Sequence, residues 1–133
     1  MTWASVSLTG AGVAVLDCDH RTPEATDTGH PYIAIPEIRD GVINVGECRR
    51  ITDAQLAEWT RRTKPQIGDV VVTRRGRVGD SAPIPVADAA IGQNLVILRS
   101  DSTQVDQTFL RWAVRSPRWW EEVDRWRNVG AVF

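Results

Sequence analysis

The chain contains little that would mark a membrane protein or a secreted protein. In its 133 residues no apolar run approaches the roughly 20 residues that a transmembrane helix needs, so we expect no membrane contact. The N-terminal stretch has neither a basic start nor a long apolar block, so we expect no secretion signal and a cytoplasmic location. Only two cysteines occur, Cys18 and Cys48. They could pair in an oxidising compartment, but without an export signal reduced thiols are favoured.

The patterns of nucleotide and metal sites are also missing. The segment Gly76–Gly79 is not a phosphate-binding loop, because the Gly-x-x-x-x-Gly-Lys-Ser/Thr pattern is absent. A four-ligand zinc site could be assembled, but it would lack the paired Cys-x-x-Cys spacing typical of such sites. Its ligands would be Cys18, His20, His30 and Cys48. We therefore expect no metal site and no cofactor.

Two further arrangements could suggest catalysis. Cys18 lies next to Asp19 and His20, but neighbours on one loop rarely converge as nucleophile and base, and a buried thiol is the simpler interpretation. Several carboxylates could form a nuclease cluster, but no Asp…Glu-x-Lys arrangement accompanies them, and carboxylates in turns are commonly caps. These are Asp17, Asp19, Asp27, Glu37 and Asp40. We expect a protein that is not an enzyme.

The charge is unevenly distributed along the chain. The net charge is −1, but residues 49–77 hold eight basic and three acidic residues, a net +5, which leaves −6 for the remainder. Such a segment can attract phosphate while the rest of the surface stays acidic. A solvated basic face without a ligand is the alternative.

The length suits one domain, residues 1–133, and its patterns predict an α+β fold, a mixed β-sheet with flanking helices. Apolar runs predict strands, and Asp40-Gly41 between two of them is a hairpin signal. The predicted strands are 32–35, 42–45, 69–73, 82–86 and 95–98. Pro36 should push the first strand to a sheet edge or end it early. A capping box at Thr52-Asp-Ala-Gln55 opens one helix, and 107–115 and 118–127 form two more, the last capped by Ser116-Pro117.

The most informative segment is Ile67-Gly-Asp-Val-Val-Val-Thr-Arg-Arg-Gly-Arg-Val-Gly79, followed by Asn94-Leu-Val-Ile-Leu-Arg99. An apolar strand here runs straight into three arginines separated by glycines. This delivers cationic side chains to a sharp turn, which suits contact with a polyanion.

These blocks, in this order, resemble the target recognition domain of the specificity subunit of type I restriction-modification systems. The resemblance extends to Tyr32-Ile33, to Ile38-Arg-Asp-Gly-Val-Ile43, to Lys64-Pro-Gln-Ile-Gly-Asp69 and to Phe109-Leu110 before Arg115-Ser116. It covers the chain from about Trp3 to Trp126.

The resemblance implies a non-catalytic reader of one half of a split DNA target. A complete subunit of that family carries two such domains and spacer helices, and it directs an adenine methyltransferase and endonuclease in host defence. We expect a single domain here, without the spacer helices. Its partners would be double-stranded DNA, a methyltransferase subunit, and a second recognition domain or another copy of the chain. S-adenosylmethionine, Mg²⁺ and ATP would belong to partner subunits.

Candidate DNA-binding residues divide into two groups. Guanidinium groups bind phosphate in a bidentate manner, so the basic residues of the turn are candidates for backbone contacts. This group is Lys64, Arg74, Arg75 and Arg77, with Gly76 and Gly79 shaping the turn. Base reading needs polar side chains in the major groove, for which the long polar loop 19–30 is suited. Its candidates are His20, Arg21, Thr22 and Thr26.

A second hypothesis comes from the six tryptophans. Trp112 and Trp126 are expected in the core, whereas Trp119 and Trp120 point about 100° apart on a helix, so one of them could be exposed. The alternative function is therefore a protein-interaction fragment that docks on the restriction-modification assembly without reading DNA.

Overall fold

A four-stranded antiparallel sheet lies at the centre of the molecule. The computed structural model describes residues 6–19, 21–74 and 80–126. The strand order is β1-β9-β6-β7. These strands are β1 (Val13–Leu16), β6 (Val70–Thr73), β7 (Ser81–Pro83) and β9 (Leu95–Ser100).

Both faces of this sheet are covered, which explains why β6 is apolar without alternation. Val71 and Ile97 face one core cluster, whereas Val70 and Leu98 face another on the opposite side. All four residues of β6 are buried. In a strand that is covered on both faces, every apolar side chain is buried and stabilises the fold, whereas in a strand with one exposed face only every second side chain does so.

Two smaller sheets supply one of the covering layers. In the first, β2 (His30–Ile33) pairs antiparallel with β5 (Arg49–Ile51) and parallel with β8 (Ala90–Ile91). The second is a hairpin of β3 (Ile38–Arg39) and β4 (Val42–Ile43). Ile33, Ile38 and Ile43 from these sheets join the cluster on β6 and β9.

The hairpin corrects one detail of the prediction. Asp40 and Gly41 both have positive φ, 53° and 79°, and form its tight turn as predicted. The strand before the turn is Ile38–Arg39, however, and not the predicted 32–35 run. That run ends early at Ile33, before a 3₁₀ turn that contains Pro36. β2 is also central in its sheet and not an edge strand.

Three helices complete the fold. They are α1 (Asp53–Trp59), α2 (Gln107–Ala113) and α3 (Pro117–Trp126). The capping box at α1 is confirmed, with Thr52 Oγ1 accepting from the Gln55 N–H at 3.1 Å. Ser116 Oγ accepts from the Trp119 N–H at 3.3 Å at the start of α3. Among the described residues, none of the helices is both long and apolar enough to cross a membrane.

The elements confirm the predicted α+β class with its mixed sheet, but β3 of the hairpin and three further strands were not predicted. β1 was not assigned, β5 begins with two arginines, and β8 is only two residues long. The last two are stabilised by long-range pairing with β2, which local sequence patterns do not report.

An ion pair with a buried carboxylate joins the four-stranded sheet to the segment that precedes β6. Asp69 is 3% exposed, and its carboxylate accepts two hydrogen bonds from Arg99, Nε–Oδ1 at 2.8 Å and Nη2–Oδ2 at 2.6 Å. Arg99 Nη2 also donates to the Lys64 carbonyl at 3.0 Å, and the Gln66 N–H donates to Asp69 Oδ2 at 2.8 Å. The pair therefore joins β6, β9 and residues 64–66.

We predict that Asp69→Ala lowers the free energy of unfolding by about 3 kcal/mol, because the Arg99 guanidinium loses its carboxylate in a partly buried position. Urea unfolding followed by tryptophan fluorescence measures the change. Asp27→Ala, on an exposed loop position, is the matched control and should change stability little. Equal stability of the two variants would contradict the structural role of the pair.

Candidate nucleic-acid interface

The polar loop of residues 17–29 is held through its backbone. Side chains of α1 and the residues after it donate to loop carbonyls, as does one side chain of β5. Thr63 Oγ1 donates to the Asp17 carbonyl at 2.6 Å, and Trp59 Nε1 donates to the Arg21 carbonyl at 2.7 Å. Further donors are Gln55 Nε2 to Glu24 at 3.0 Å, Arg49 Nη1 to Pro23 at 2.7 Å, and Arg62 Nη1 to Cys18 at 3.3 Å.

Two more contacts fix the loop against the sheets. The Thr26 N–H donates to the Arg50 carbonyl at 2.8 Å, and Pro23 is buried. The exposed residues of the loop are 21, 22, 24, 25 and 27–29. Because the backbone bonds are directed inward, the loop presents a fixed set of side chains to solvent.

Arg21 is exposed but already engaged. Its Nε and Nη2 donate to Asp19 at 3.0 and 2.9 Å, and Nη2 also contacts Glu58 Oε1 at 2.8 Å. The guanidinium lies over the Trp59 ring, 4.6 Å from its centroid. The hydrogen bond from Arg21 lowers the pKa of the Asp19 carboxyl. Arg21 thus ties the loop to α1.

The two threonines predicted to read bases, Thr22 and Thr26, differ in their exposure to solvent. Thr22 is exposed, and Gln93 Nε2 donates to its Oγ1 across a long contact of 3.4 Å. Thr26 is half-buried, and its hydroxyl donates to the Thr28 carbonyl at 2.6 Å. Of the two, Thr22 is the more accessible to a ligand.

Arg74 lies next to the start of this loop. It follows β6, and its Nη1 is 3.5 Å from Asp17 Oδ1. The other Asp17 oxygen, Oδ2, is 3.5 Å from Arg62 Nη1. The two guanidinium groups therefore flank one carboxylate at the start of the loop.

Not every predicted residue joins this group. Lys64 is exposed and lines a cleft of about 360 Å³ together with His30 and Asp53, and this lining includes neither Asp17 nor Arg74. The remaining predicted residues, His20, Arg75, Gly76, Arg77 and Gly79, lie outside the described residues.

Part of the basic segment serves the fold itself. Arg49 and Arg62 hold loop carbonyls, and Arg50 Nη2 donates to the Val45 carbonyl at 2.9 Å. The excess of positive charge in residues 49–77 is thus only partly available to a polyanion.

Both cysteines are buried and free. Cys18 Sγ donates to the Gly92 carbonyl at 3.0 Å, and burial, then the Asp17 and Asp19 charges, raise the pKa of this thiol to about 11. Burial, then Glu37, raises the pKa of Cys48 to about 11 as well. Neutral thiols are poor nucleophiles and poor metal ligands. No group of three or more metal-binding side chains occurs among the described residues.

Comparison with known proteins gives a structural relation and no sequence relation. No family model and no curated protein matches the sequence. The HsdS subunit from Thermoanaerobacter tengcongensis matches with a TM-score of 0.56 and 19% identity, over 83% of this chain and 26% of that chain. A chain from a study of complex assembly and conformational transition in a type I restriction-modification system matches with a TM-score of 0.49 and 19% identity, over 89% of this chain and 29% of that chain.

The protein has a target-recognition-domain-like fold. The predicted resemblance is thereby confirmed at the level of the fold. The chain spans about a quarter of the length of the HsdS subunit that it matches.

In this recognition-domain-like fold, sequence reasoning missed the contact of Asp17 with Arg62 at the candidate interface. Asp17 was considered only as a carboxylate of a possible nuclease cluster, and Arg62 was counted only among the basic residues of the segment 49–77. Two signals were present, because Asp17 follows an apolar run and Arg62 follows a capped helix, so each lies at the end of an element.

We predict that the stability of this fold falls between about pH 9 and pH 11. In the unfolded chain the thiols ionise near pH 9, whereas in the native protein Cys18 and Cys48 stay protonated up to about pH 11. The unfolded state therefore binds fewer protons in this window, and the free energy of unfolding decreases as the pH rises.

Urea unfolding in reductant at several pH values from 8 to 10.5 tests this. Because other groups also titrate there, Cys18→Ala/Cys48→Ala is the comparison, and its stability should fall less steeply with pH. Parallel pH profiles for the two proteins would contradict the assignment.

Proposed function

We propose that the chain binds duplex DNA as a sequence-specific half-site reader, a recognition domain of the type I restriction-modification kind. The anchored loop supports this most directly. Its carbonyls are bound by Gln55, Trp59, Arg62, Thr63 and Arg49, while most of its side chains face solvent. A pre-ordered loop loses less conformational entropy on binding than a mobile one.

The proposed phosphate contacts come from the arginines that border this loop. Arg74 lies beside the loop in space. Arg75 and Arg77 follow Arg74 in the sequence. The glycines at 76 and 79 of the sequence carry no side chain that would obstruct a close approach to DNA. Lys64 is a more remote candidate for the same role, because it lines the cleft with His30.

The proposed base contacts come from residues 20–22 and from Thr26. Thr22 is exposed, and His20 and Arg21 precede it in sequence. Arg21 would have to leave Asp19 and Glu58 to reach a guanine, whereas Thr26 is tied to Thr28. Each correctly read base pair supplies roughly 1 to 3 kcal/mol of discrimination.

In this proposal the chain itself performs no chemistry. Methylation and cleavage would belong to an adenine methyltransferase subunit and an endonuclease subunit, which also would bind S-adenosylmethionine, Mg²⁺ and ATP. A second recognition domain, or another copy of the chain, would read the other half of the target in the cytoplasm.

A selection from randomised duplex DNA, performed at two salt concentrations, tests the function. We expect enrichment of a motif of about three to five base pairs, with weaker binding at higher salt. Thr22→Val in the loop should change the enriched motif. Salt-sensitive binding without enrichment of any motif would exclude sequence-specific reading. An absence of binding at low salt would exclude DNA binding altogether.

We predict that Arg74→Ala weakens binding to all duplexes alike and lowers the slope of log K against log salt concentration by about one, because one phosphate contact is lost. Arg75→Ala should act in the same way. Arg125→Ala, an exposed arginine of α3 that pairs with Glu122, is the matched control and should leave the slope unchanged. An Arg74→Ala slope equal to the wild-type slope would exclude this contact.

The second candidate function, docking on a protein partner, is supported by α2. Trp112 is 58% exposed, contrary to its predicted place in the core, and Phe109, one turn earlier, is 64% exposed. Trp119 and Trp120 are both half-buried, with their rings in a T-shaped contact, so neither is the exposed residue of that pair. Exposed aromatic pairs of this kind are common in protein interfaces.

If the chain docks on a protein partner through Phe109 and Trp112, the affinity for that partner should depend on these two side chains and only weakly on the salt concentration. Phe109→Ser/Trp112→Ser should weaken the association with an added type I methyltransferase subunit at least tenfold, measured by calorimetry, while leaving the DNA affinity unchanged. The control is Arg118→Lys/Glu121→Gln at exposed positions of α3. Unaltered association would exclude the α2 face as the docking surface.

A further inference from the structure

Asp17, Arg62 and Arg74 meet where three elements end. Asp17 follows β1, Arg62 lies three residues after the end of α1, and Arg74 follows β6. Asp17 Oδ1 lies 3.5 Å from Arg74 Nη1, and Oδ2 lies 3.5 Å from Arg62 Nη1. One carboxylate therefore lies within 3.5 Å of two guanidinium groups.

The position of the Asp17 backbone is fixed independently of these ion pairs. Its carbonyl accepts from Thr63 Oγ1 at 2.6 Å, and its Oδ1 accepts from the Cys18 N–H at 2.9 Å. The adjacent Cys18 is 2% exposed and bonded to Gly92. The backbone of Asp17 is thus held in place by its own loop, so the carboxylate can leave the arginines by rotation of the side chain alone.

The contacts to the arginines are long for charged hydrogen bonds, which are usually about 2.7 to 2.9 Å. The side chains of Arg62, Asp17 and Arg74 are 59%, 37% and 23% exposed. Ion pairs that water reaches in this way are weak, so another anion can replace the carboxylate at small cost.

A phosphodiester group matches what the carboxylate offers. Both carry one negative charge and present two acceptor oxygens, and a guanidinium fork accommodates either. Arg62 and Arg74 lie on two sides of the same place, so both guanidinium groups are within reach of an anion that takes the position of the carboxylate.

We propose that Arg62 and Arg74 form a binding site for one phosphodiester group of DNA, and that Asp17 occupies this site in the free protein. This rests on the proposed DNA-binding function and adds Arg62 to its phosphate contacts. DNA has to displace Asp17 from the arginines, so Asp17 weakens binding to every duplex equally. The contacts that read bases then decide which duplexes stay bound.

The test compares Asp17→Asn with the wild-type chain on a short duplex of fixed sequence at several salt concentrations. Asparagine keeps the shape of the side chain and an oxygen for the Cys18 N–H, but removes the competing charge. We expect a roughly threefold to tenfold increase in affinity, since a like charge a few ångströms from the phosphate is removed. Asp17→Ser should show the same direction, which guards against an effect peculiar to asparagine.

The matched controls separate local competition from general electrostatics. Asp27→Asn removes the same charge from an exposed part of the same loop and should raise the affinity less. In an Arg62→Ala/Arg74→Ala background, Asp17→Asn should lose its effect, because the site itself is gone. An equal gain in that background, or an equal gain from Asp27→Asn, would overturn the proposed site.

The outcomes distinguish a failure of the phosphate site from a failure of the proposed DNA-binding function. Salt-sensitive binding by the wild-type chain, with unchanged or weaker binding by Asp17→Asn, would overturn the phosphate site and leave the DNA-binding function standing. If neither protein binds duplex DNA at low salt, both proposals fail together.

Discussion

The ion pair between Asp69 and Arg99 holds together the part of the molecule that positions the candidate interface. It joins the start of β6 to the end of β9 and, through the Lys64 carbonyl and the Gln66 N–H, fixes the segment that follows α1. Arg74, at the far end of β6, receives its position from the same strand. Because the Asp69 carboxylate is buried and both of its oxygens accept from Arg99, the two strands and the segment 64–66 can move little relative to one another.

The interface loop shows how a polar segment becomes ordered without an apolar core of its own. Its carbonyls, which would otherwise need water, accept from Gln55, Trp59, Arg62 and Thr63 after or within α1 and from Arg49 of β5. Pairing of inward-facing backbone groups stabilises the loop, while several of its side chains, Thr22 and Glu24 among them, remain exposed to solvent. Variation at exposed positions would therefore leave the scaffold intact.

The arginines divide between structure and the proposed contacts according to what they meet in space. Arg49 and Arg50 donate to carbonyls, Arg99 binds Asp69, and Arg21 lies on Trp59. Charge counted along the chain cannot distinguish these uses, because a guanidinium beside a carbonyl and one beside solvent look alike in sequence. The local balance of Arg62 and Arg74 against Asp17 is a property of the folded surface.

Local sequence determined the capping box at Thr52, the Asp40-Gly41 turn and the strand at Val70–Val72, because each depends on neighbouring residues. Ordered motifs also indicated the recognition-domain-like fold, which the comparison with HsdS confirms. Tertiary structure decided the rest. β5 and β8 exist because β2 pairs with them, Trp112 is exposed because of the way α2 packs, and Asp17 meets Arg62 and Arg74 across 45 and 57 residues of chain. Such contacts depend on distances in space, which no local pattern records.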